Sequence, residues 1–322
     1  SGNLTVLAGD DIDDGGLSDV FGITDITSTG GYVKFNDNCS GGVCSDFKDV
    51  VNIHAGGGQI ILKDANSIKF GTITTTGNFT LTASQATTGT VTQTDTGTIT
   101  IAGITNITNT GGDVTLTRTT NDFASDGTGA VKITGANVEV VDGVANGGDS
   151  IGIDLGASTV SGTYTVTAVT GNITDSGTLA ITGLATLNTS ASNATITLDE
   201  TGSTFAAGVS LNTTGSSGNA TVDTGTNALI VATSSVGGNL TLTSGNASGI
   251  TDLVGATVTV NGNLSATTDA NNGVITLDSL AVDPDTNDST IAFAPHGSGS
   301  VTIVNANGIN FAESTMHGVL TT

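Results

Sequence analysis

The sequence is poor in the side chains that fill wide protein cores. Aromatic residues make up 3% of the 322 positions, with no Trp and a single Met, whereas Gly reaches 47. A wide globular core normally needs larger side chains, while a thin coil can be filled by stacked Val, Ile, Leu and Ala with Gly at its corners. The composition therefore favours a narrow, elongated core.

Cations are also scarce. Lys and Arg total 6 against 29 acidic residues, for a formal net charge of -23, and the last of the six is Lys132. Such a surface repels phosphate backbones and anionic lipid, so we expect neither a nucleic-acid partner nor a membrane partner. No run of about twenty apolar residues could cross a bilayer, and no signal peptide opens the chain. If the protein is secreted, its signal has been removed or lies before Ser1.

Proline and cysteine are nearly absent. The two prolines are Pro284 and Pro295, and a chain without earlier prolines fits strands that are paired on both sides. Cys39 and Cys44 lie in NDNCSGGVCSDF, where the spacing suits a disulfide that closes a small loop, with free thiols as the alternative. Two thiols alone cannot complete a tetrahedral zinc site. A disulfide would indicate an extracellular or periplasmic protein.

What the chain has in abundance is a repeat. GTITIAGITNITNTGGDVTLTRTTNDF at 97–123 returns as GTLAITGLATLNTSASNATITLDETGSTF at 177–205, which indicates a super-repeat of about 80 residues. Inside each block, Gly and a turn residue precede a segment in which apolar residues alternate with Thr, the pattern of a half-buried strand. We therefore predict an all-β solenoid of roughly 13–16 coils, at about 20–25 residues per coil. A string of β-sandwich modules is the alternative.

The solenoid is predicted to be one continuous elongated domain. Residues 1–76 form irregular N-terminal coils with inserted loops, including the Cys39–Cys44 loop, and residues 77–322 form regular coils. Insertions at coil corners cost little stability, which accounts for the irregular part.

No amphipathic helix is available to cap either end. Terminal coils expose unpaired backbone groups and open apolar stacks unless something covers them. The chain is therefore expected either to be part of a longer solenoid or to stack head to tail on other copies. Strand-like segments near the two ends supply the predicted contact residues, which are Leu4, Val6, Ile309 and Phe311.

One acidic turn has the oxygen spacing of a calcium loop. In VDPDTNDST, Asp283, Asp285 and Asn287 repeat the alternate-position ligands that open an EF-hand. Asp288 stands where the EF-hand glycine is expected and Ala294 where the bidentate Glu is expected, so a true EF-hand is excluded. An isolated calcium site and a solvated acidic turn both remain open.

The other polar candidates are weaker. Asp10, Asp11, Asp13 and Asp14 could hold calcium or form a charged loop, and His54, His296 and His317 are scattered. No metal or cofactor is required by any motif. Asp is expected mostly at turns and Glu is rare, so no pair of carboxylates or nucleophilic triad can be proposed and an enzyme is not expected. Asn-x-Ser/Thr sequons, which are candidate glycosylation sites, include Asn3, Asn78, Asn106, Asn172, Asn188, Asn193, Asn212, Asn239, Asn246, Asn263 and Asn287.

The repeat resembles a known family. The Gly-led Thr-alternating units, with NIHAGGGQIILKDANSI at 52–68 and NANGINF at 305–311, are similar to the central repeats of filamentous-haemagglutinin-type large exoproteins, the adhesins of two-partner secretion. The Asn-Pro-Asn signature of that family's secretion domain is absent here. The resemblance implies a right-handed parallel β-helix at the surface of a Gram-negative cell.

These observations lead to a functional hypothesis. We expect a non-enzymatic, extracellular structural solenoid that forms or belongs to a surface fibre and supports adhesion or a matrix. Its partners would be itself, in a head-to-tail polymer, or neighbouring coils of a longer chain, with surface glycans or receptors as further ligands. The alternative is a glycan-binding or glycan-cleaving β-helix of the tailspike type.

Overall fold

The structure is a computed structural model that describes residues 2–16, 18–36, 45–83, 89–124, 127–143, 152–283 and 288–322. The described residues form strands and turns and contain no helix. They fall into two compact units, residues 1–162 and residues 163–322. Cys39, Cys44, Asp285 and Asn287 lie outside the described residues, so the predicted disulfide and the calcium turn stay predictions.

Each unit is built from parallel strands, and in the first unit most of them belong to two sheets, sheet A and sheet B. The chain passes back and forth between the two sheets, so that a strand inside the stack pairs with a strand one coil earlier and another one coil later. Sheet A of this unit contains β1 (Leu4–Ala8), β4 (Thr24–Ser28), β7 (Val50–Ala55), β9 (Ile68–Thr75), β11 (Val91–Gln93), β12 (Ile99–Ile101), β14 (Val114–Leu116), β15 (Asp122–Phe123) and β17 (Val138–Asp142). Sheet B contains β2 (Ile12–Asp13), β5 (Val33–Phe35), β8 (Ile60–Asp64), β10 (Phe79–Ala83), β13 (Thr105–Thr108), β16 (Val131–Gly135), β18 (Gly152–Leu155) and β19 (Ser158–Val160). A small third sheet joins β3 (Asp19–Val20) to β6 (Asp46–Phe47).

The second unit has the same organisation. Its sheet A contains β20 (Tyr164–Ala168), β23 (Ala185–Ser192), β26 (Val209–Thr214), β28 (Leu229–Val231), β29 (Ser234–Val236), β31 (Ile250–Asp252), β32 (Val258–Val260), β34 (Ile275–Val282), β36 (Val301–Asn305) and β37 (Leu320–Thr321). Its sheet B contains β21 (Asn172–Asp175), β22 (Leu179–Ile181), β24 (Ile196–Leu198), β25 (Thr204–Phe205), β27 (Ala220–Asp223), β30 (Leu240–Ser244), β33 (Leu264–Thr268) and β35 (Ile291–Ala294).

The alternation of apolar residues and Thr explains both the strands and their stacking. A period of two places apolar side chains on the inner face of every strand and Thr on the outer face. Because aligned residues of successive coils lie directly above one another, the inner side chains form continuous buried columns. One such column in the second unit, with every member at most 1% exposed, is Ile173, Ile196, Ala220, Leu240, Leu264 and Ile291.

The spacing of aligned residues gives the length of a coil. Thr24 pairs with Val51, an interval slightly longer than the predicted coil, and Val301 pairs with Leu320, an interval slightly shorter than it. The coil length varies because the corners accept loops of different length. The predicted all-β solenoid is therefore confirmed, whereas its right-handedness stays a prediction.

Candidate functional site

A column of polar residues runs along one corner of the second unit, at or just before the start of most strands of sheet B. We call it the asparagine column. The side-chain oxygen of Asn219 accepts the backbone N–H of Asn239 at 2.8 Å, that of Asn239 accepts the N–H of Asn263 at 2.8 Å, and that of Asn263 accepts the N–H of Thr290 at 2.9 Å. Its members, in order, are Asn172, Thr195, Asn219, Asn239, Asn263, Thr290 and Asn310. Each carboxamide thus ties its own coil to the next one, always in the same direction.

Glycine in the following coil makes room for the carboxamides of Asn219 and Asn239. A Cβ atom on Gly238 would lie 2.4 Å from Oδ1 of Asn219, and one on Gly262 would lie 2.5 Å from Oδ1 of Asn239. Such separations are far below van der Waals contact, so a side chain there would force the carboxamide aside. The two residues of the recurring Gly-Asn dipeptide therefore act together. The Gly leaves space for the Asn side chain of the preceding coil, and the Asn side chain accepts a hydrogen bond from the following coil.

The first unit uses the same contact at fewer positions. The N–H of Ile104 donates to Oδ1 of Asn78 at 2.8 Å, and the N–H of Tyr32 donates to Oδ1 of Asp11 at 3.1 Å. On sheet A, the N–H of Ile23 donates to Oδ1 of Asn3 at 3.1 Å. Several asparagines that the sequence marks as sequons thus have their carboxamide oxygen engaged by a neighbouring coil.

Removing one link of the asparagine column should lower stability modestly. Asn239→Ala is expected to decrease the free energy of unfolding by about 1 kcal/mol, because the N–H of Asn263 exchanges its partner for water. Thermal unfolding followed by circular dichroism measures the effect. Thr241→Ala, on the outer face of the same strand, is the control. Equal stability of the two variants would contradict a stabilising role for the column.

The first coil presents inner-facing side chains that are only partly covered. We call Leu4, Val6, Ala8 and Ile12 the first-coil face; all four are half-buried. Val6 aligns with Ile26, which is 2% exposed because further coils pack over it. The predicted residues Leu4 and Val6 therefore point into the coil interior at its open end.

The last coil of the second unit is similarly open. We call Ile309, Asn310 and Phe311 the last-coil face. Phe311 bridges to Ile291 and its ring packs edge to face on Phe293, with centroids 5.6 Å apart, yet it is 44% exposed. Leu320 aligns with the fully buried Val301 and is 37% exposed. The predicted residue Ile309 is half-buried.

Two buried carboxylates have raised pKa values. Asp64 accepts the N–H groups of Phe47 and Asn66, each at 2.9 Å, and burial raises its pKa to about 6 although these hydrogen bonds lower it. Burial likewise raises the pKa of Asp175 to about 6, against hydrogen bonds from the N–H groups of Asp199 and Glu200. The expectation that Asp lies mostly at solvated turns misses these positions. Desolvation penalises the charged form, so both groups bind protons at mildly acidic pH.

The acidic loop near the N-terminus is occupied by contacts to the next coil. Oδ1 of Asp11 accepts the N–H of Tyr32, Asp13 pairs with Lys34 at 3.1 Å, and Oδ1 of Asp14 accepts the N–H of Asn36 at 3.2 Å. Across the described ranges, no three His, Cys, Asp or Glu side chains are grouped so that they could hold a metal ion.

The remaining sequence candidates lie apart from one another. Asp283 follows β34, outside the end faces, and its two companions are not described. His54, His296 and His317 are all exposed, as expected for surface residues. In the part of the chain that the structure describes, no helix is long and apolar enough to cross a membrane.

A shallow polar groove lies beside the last-coil face. Its volume is about 290 Å³, and one wall carries the carboxylate of Glu313. The groove is lined by Ser265, Thr267, Ala292, Phe293, Ala294, Glu313 and Thr315. Hydroxyl groups with one carboxylate can hydrogen-bond a polar ligand, whereas glycoside cleavage needs two placed carboxylates.

Comparison with known proteins places the repeat in a family. A family model described as repeats of unknown function (DUF5649) matches residues 57–134, 135–212 and 217–290, which is more than half of the chain. The chain belongs to the DUF5649 repeat family. No curated protein and no solved structure matches it. The lengths of the three matched segments confirm the predicted super-repeat.

The DUF5649 repeats contain one device whose residues the sequence interpretation did not specify. Ladders of Thr and Asn on the outside of the coils are expected to add to stability, and the signal for the asparagine column is visible in the sequence. Gly-Asn stands immediately before a strand at Gly218–Asn219, Gly238–Asn239 and Gly262–Asn263. The spacing of about one coil between these dipeptides indicates a stacked column.

Proposed function

We propose that this DUF5649 protein is a non-enzymatic, extracellular structural solenoid of a bacterial surface fibre, of the filamentous-haemagglutinin type, that supports adhesion or a matrix. Its coils are extended at the ends, either by a second copy or by neighbouring coils of a longer chain. The Gram-negative surface and the adhesive role follow from the resemblance of the repeats.

One observation carries the proposal. The inner-facing residues of the first coil are half-buried, although the aligned residues Thr24, Ile26 and Ser28 are buried by the coils that follow. Open ends of parallel strands and apolar columns favour the addition of another coil, because each added coil pairs backbone groups and covers apolar surface. The net charge of -23 makes neighbouring fibres repel each other along their sides.

Negative-stain electron microscopy with and without millimolar calcium tests the proposal. Long filaments of uniform width support stacking of copies, whereas isolated short rods support a segment of a longer solenoid. A change of Val6 and Phe311 to Ser should abolish filaments, and Thr5→Ser on the outer face of β1 should not. Filaments that persist in the double variant would contradict stacking through these two faces.

The groove beside Glu313 favours a second candidate, a glycan-binding β-helix. Four of its seven lining residues carry a hydroxyl or carboxylate group that can bond sugar hydroxyls. A glycan array with the chain and with Glu313→Gln tests binding, and a reducing-sugar assay tests cleavage. Loss of a glycan signal in Glu313→Gln supports this function, and an empty array contradicts it.

A further inference from the structure

The direction of the asparagine column defines what can be added at each end. In the asparagine column, the carboxamide oxygens of Asn172, Asn219, Asn239 and Asn263 each accept an N–H from the coil that follows. We assign Asn310 as the last member of the column, because its backbone oxygen accepts the N–H of Ile291 at 2.9 Å. Asn310 is exposed, and within the described residues its carboxamide makes no hydrogen bond. The last coil therefore offers an acceptor for the backbone N–H of a further coil.

The first coil of the chain carries the complementary donor. Asp11 stands just before β2, as Asn310 stands just before Phe311, and its oxygen accepts the N–H of Tyr32 in the next coil. Among the described residues, the N–H of Asp11 itself forms no hydrogen bond. Ile12, next to it, faces inward and is half-buried, while the aligned Val33 is fully buried.

We propose that the last-coil face docks the first coil of a second copy in one register, in which Asp11 N–H donates to Asn310 Oδ1 and Ile12 covers Phe311. This inference rests on the proposed function and specifies its contact. The occupant is a second copy because its first coil offers the backbone donor and the inner apolar residue of the contact that already links Asn219 to Asn239 and Asn239 to Asn263. The contact joins two different faces, so assembly is head to tail.

In this register, β37 must leave the edge of β36. In the first unit β1 precedes β2, so placing β2 on Phe311 places β1 on the strand that precedes Phe311, which is β36. The edge of β36 is covered by β37, a strand of two exposed residues, Leu320 and Thr321. The five-residue β1 replaces β37 on that edge, and β37 thus limits assembly until a second copy displaces it.

Sedimentation of the full chain over a range of concentrations, with its variants, tests the docking. Asn310→Ala should weaken self-association about tenfold without lowering the melting temperature, because the carboxamide has no partner among the residues that the structure describes. Asn310→Asp should retain association, since Asp11 shows that a carboxylate serves in the same position. Removal of residues 319–322 should strengthen association. Asn239→Ala, an internal link, should lower the melting temperature and leave association unchanged.

The outcomes separate this inference from the proposed function. If Asn310→Ala associates as strongly as the parent chain, the proposed register is wrong and the copies stack through another contact. Association weakened by removal of residues 319–322 overturns the displacement of β37. A chain that stays monomeric at every concentration overturns both the docking and the stacking of copies.

Discussion

Ile181→Asp is expected to abolish the folded state of the 163–322 unit. Ile181 lies in β22, is 1% exposed and aligns with the buried Phe205 of the next coil. A carboxylate at this point has no cation within reach, since no Lys or Arg occurs after Lys132. Burying an unpaired charge costs several kcal/mol, and loss of the side chain opens a cavity in the apolar column, so the total exceeds about 4 kcal/mol. Circular dichroism and thermal unfolding measure the loss.

The adjacent residue provides a matched control. Ala180 is in the same strand, one position earlier, and its side chain is exposed on the outer face. Ala180→Asp introduces the same carboxylate without burying it, so we expect a change of less than about 1 kcal/mol. If Ile181→Asp melted like Ala180→Asp, the inner face of β22 would be wrongly assigned.

Lowering the pH from 7.5 to 5 stabilises the protein. Burial raises the pKa of both Asp64 and Asp175 from 3.8 to about 6, so the folded state binds protons more tightly than the unfolded chain. The resulting stability is fully present below about pH 4 and is lost as the pH rises through about 6. Each group contributes on the order of 1–3 kcal/mol, and a lower negative charge reduces self-repulsion in the same direction. Melting temperatures at constant ionic strength check the trend, and a fall on acidification would contradict it.

Asp175→Asn isolates one of the two groups. Oδ1 of Asp175 accepts the N–H of Asp199 at 2.9 Å, a contact that an amide oxygen retains, and the variant cannot ionise. The melting temperature of the 163–322 unit should therefore vary less between pH 4.5 and 7 than in the parent chain. Asp223→Asn, at the half-buried last position of β27, is the control and should leave the profile unchanged. Identical profiles for Asp175→Asn and the parent would show that Asp175 does not titrate in this range.

The apolar alternation was sufficient to predict the strands. In β30, Leu240 and Leu242 are buried and Thr241 and Thr243 are half-buried, which is the order read directly from the sequence. Residues of a strand alternate faces whatever the surrounding fold, so the local pattern specifies the inner side. The glycines predicted the coil corners. The super-repeat predicted that the coils stack, because a repeated short unit can bury its apolar face only against its neighbours.

The end contacts were predictable only in part. Leu4, Val6, Ile309 and Phe311 were recognisable as apolar residues in strand-like segments near the ends. Leu320 of β37, which aligns with Val301 and covers the edge of β36, was not singled out, since two isolated residues carry no periodic signal. Asn310 looked like an ordinary turn residue, because its position in the asparagine column depends on how successive coils align.

By itself, the sequence determined the all-β class, the solenoid, the inner and outer faces and the super-repeat, because these follow from period-two alternation and a constant repeat length, while the parallel direction of the strands was implied by the family resemblance. Only the tertiary structure decided which polar groups meet. Asp64 and Asp175 are buried, and Asn219, Asn239 and Asn263 are linked, because the stacking of coils brings residues that are distant in the sequence into register. Hydrogen bonding and desolvation depend on such neighbours in space, and a linear pattern does not contain them.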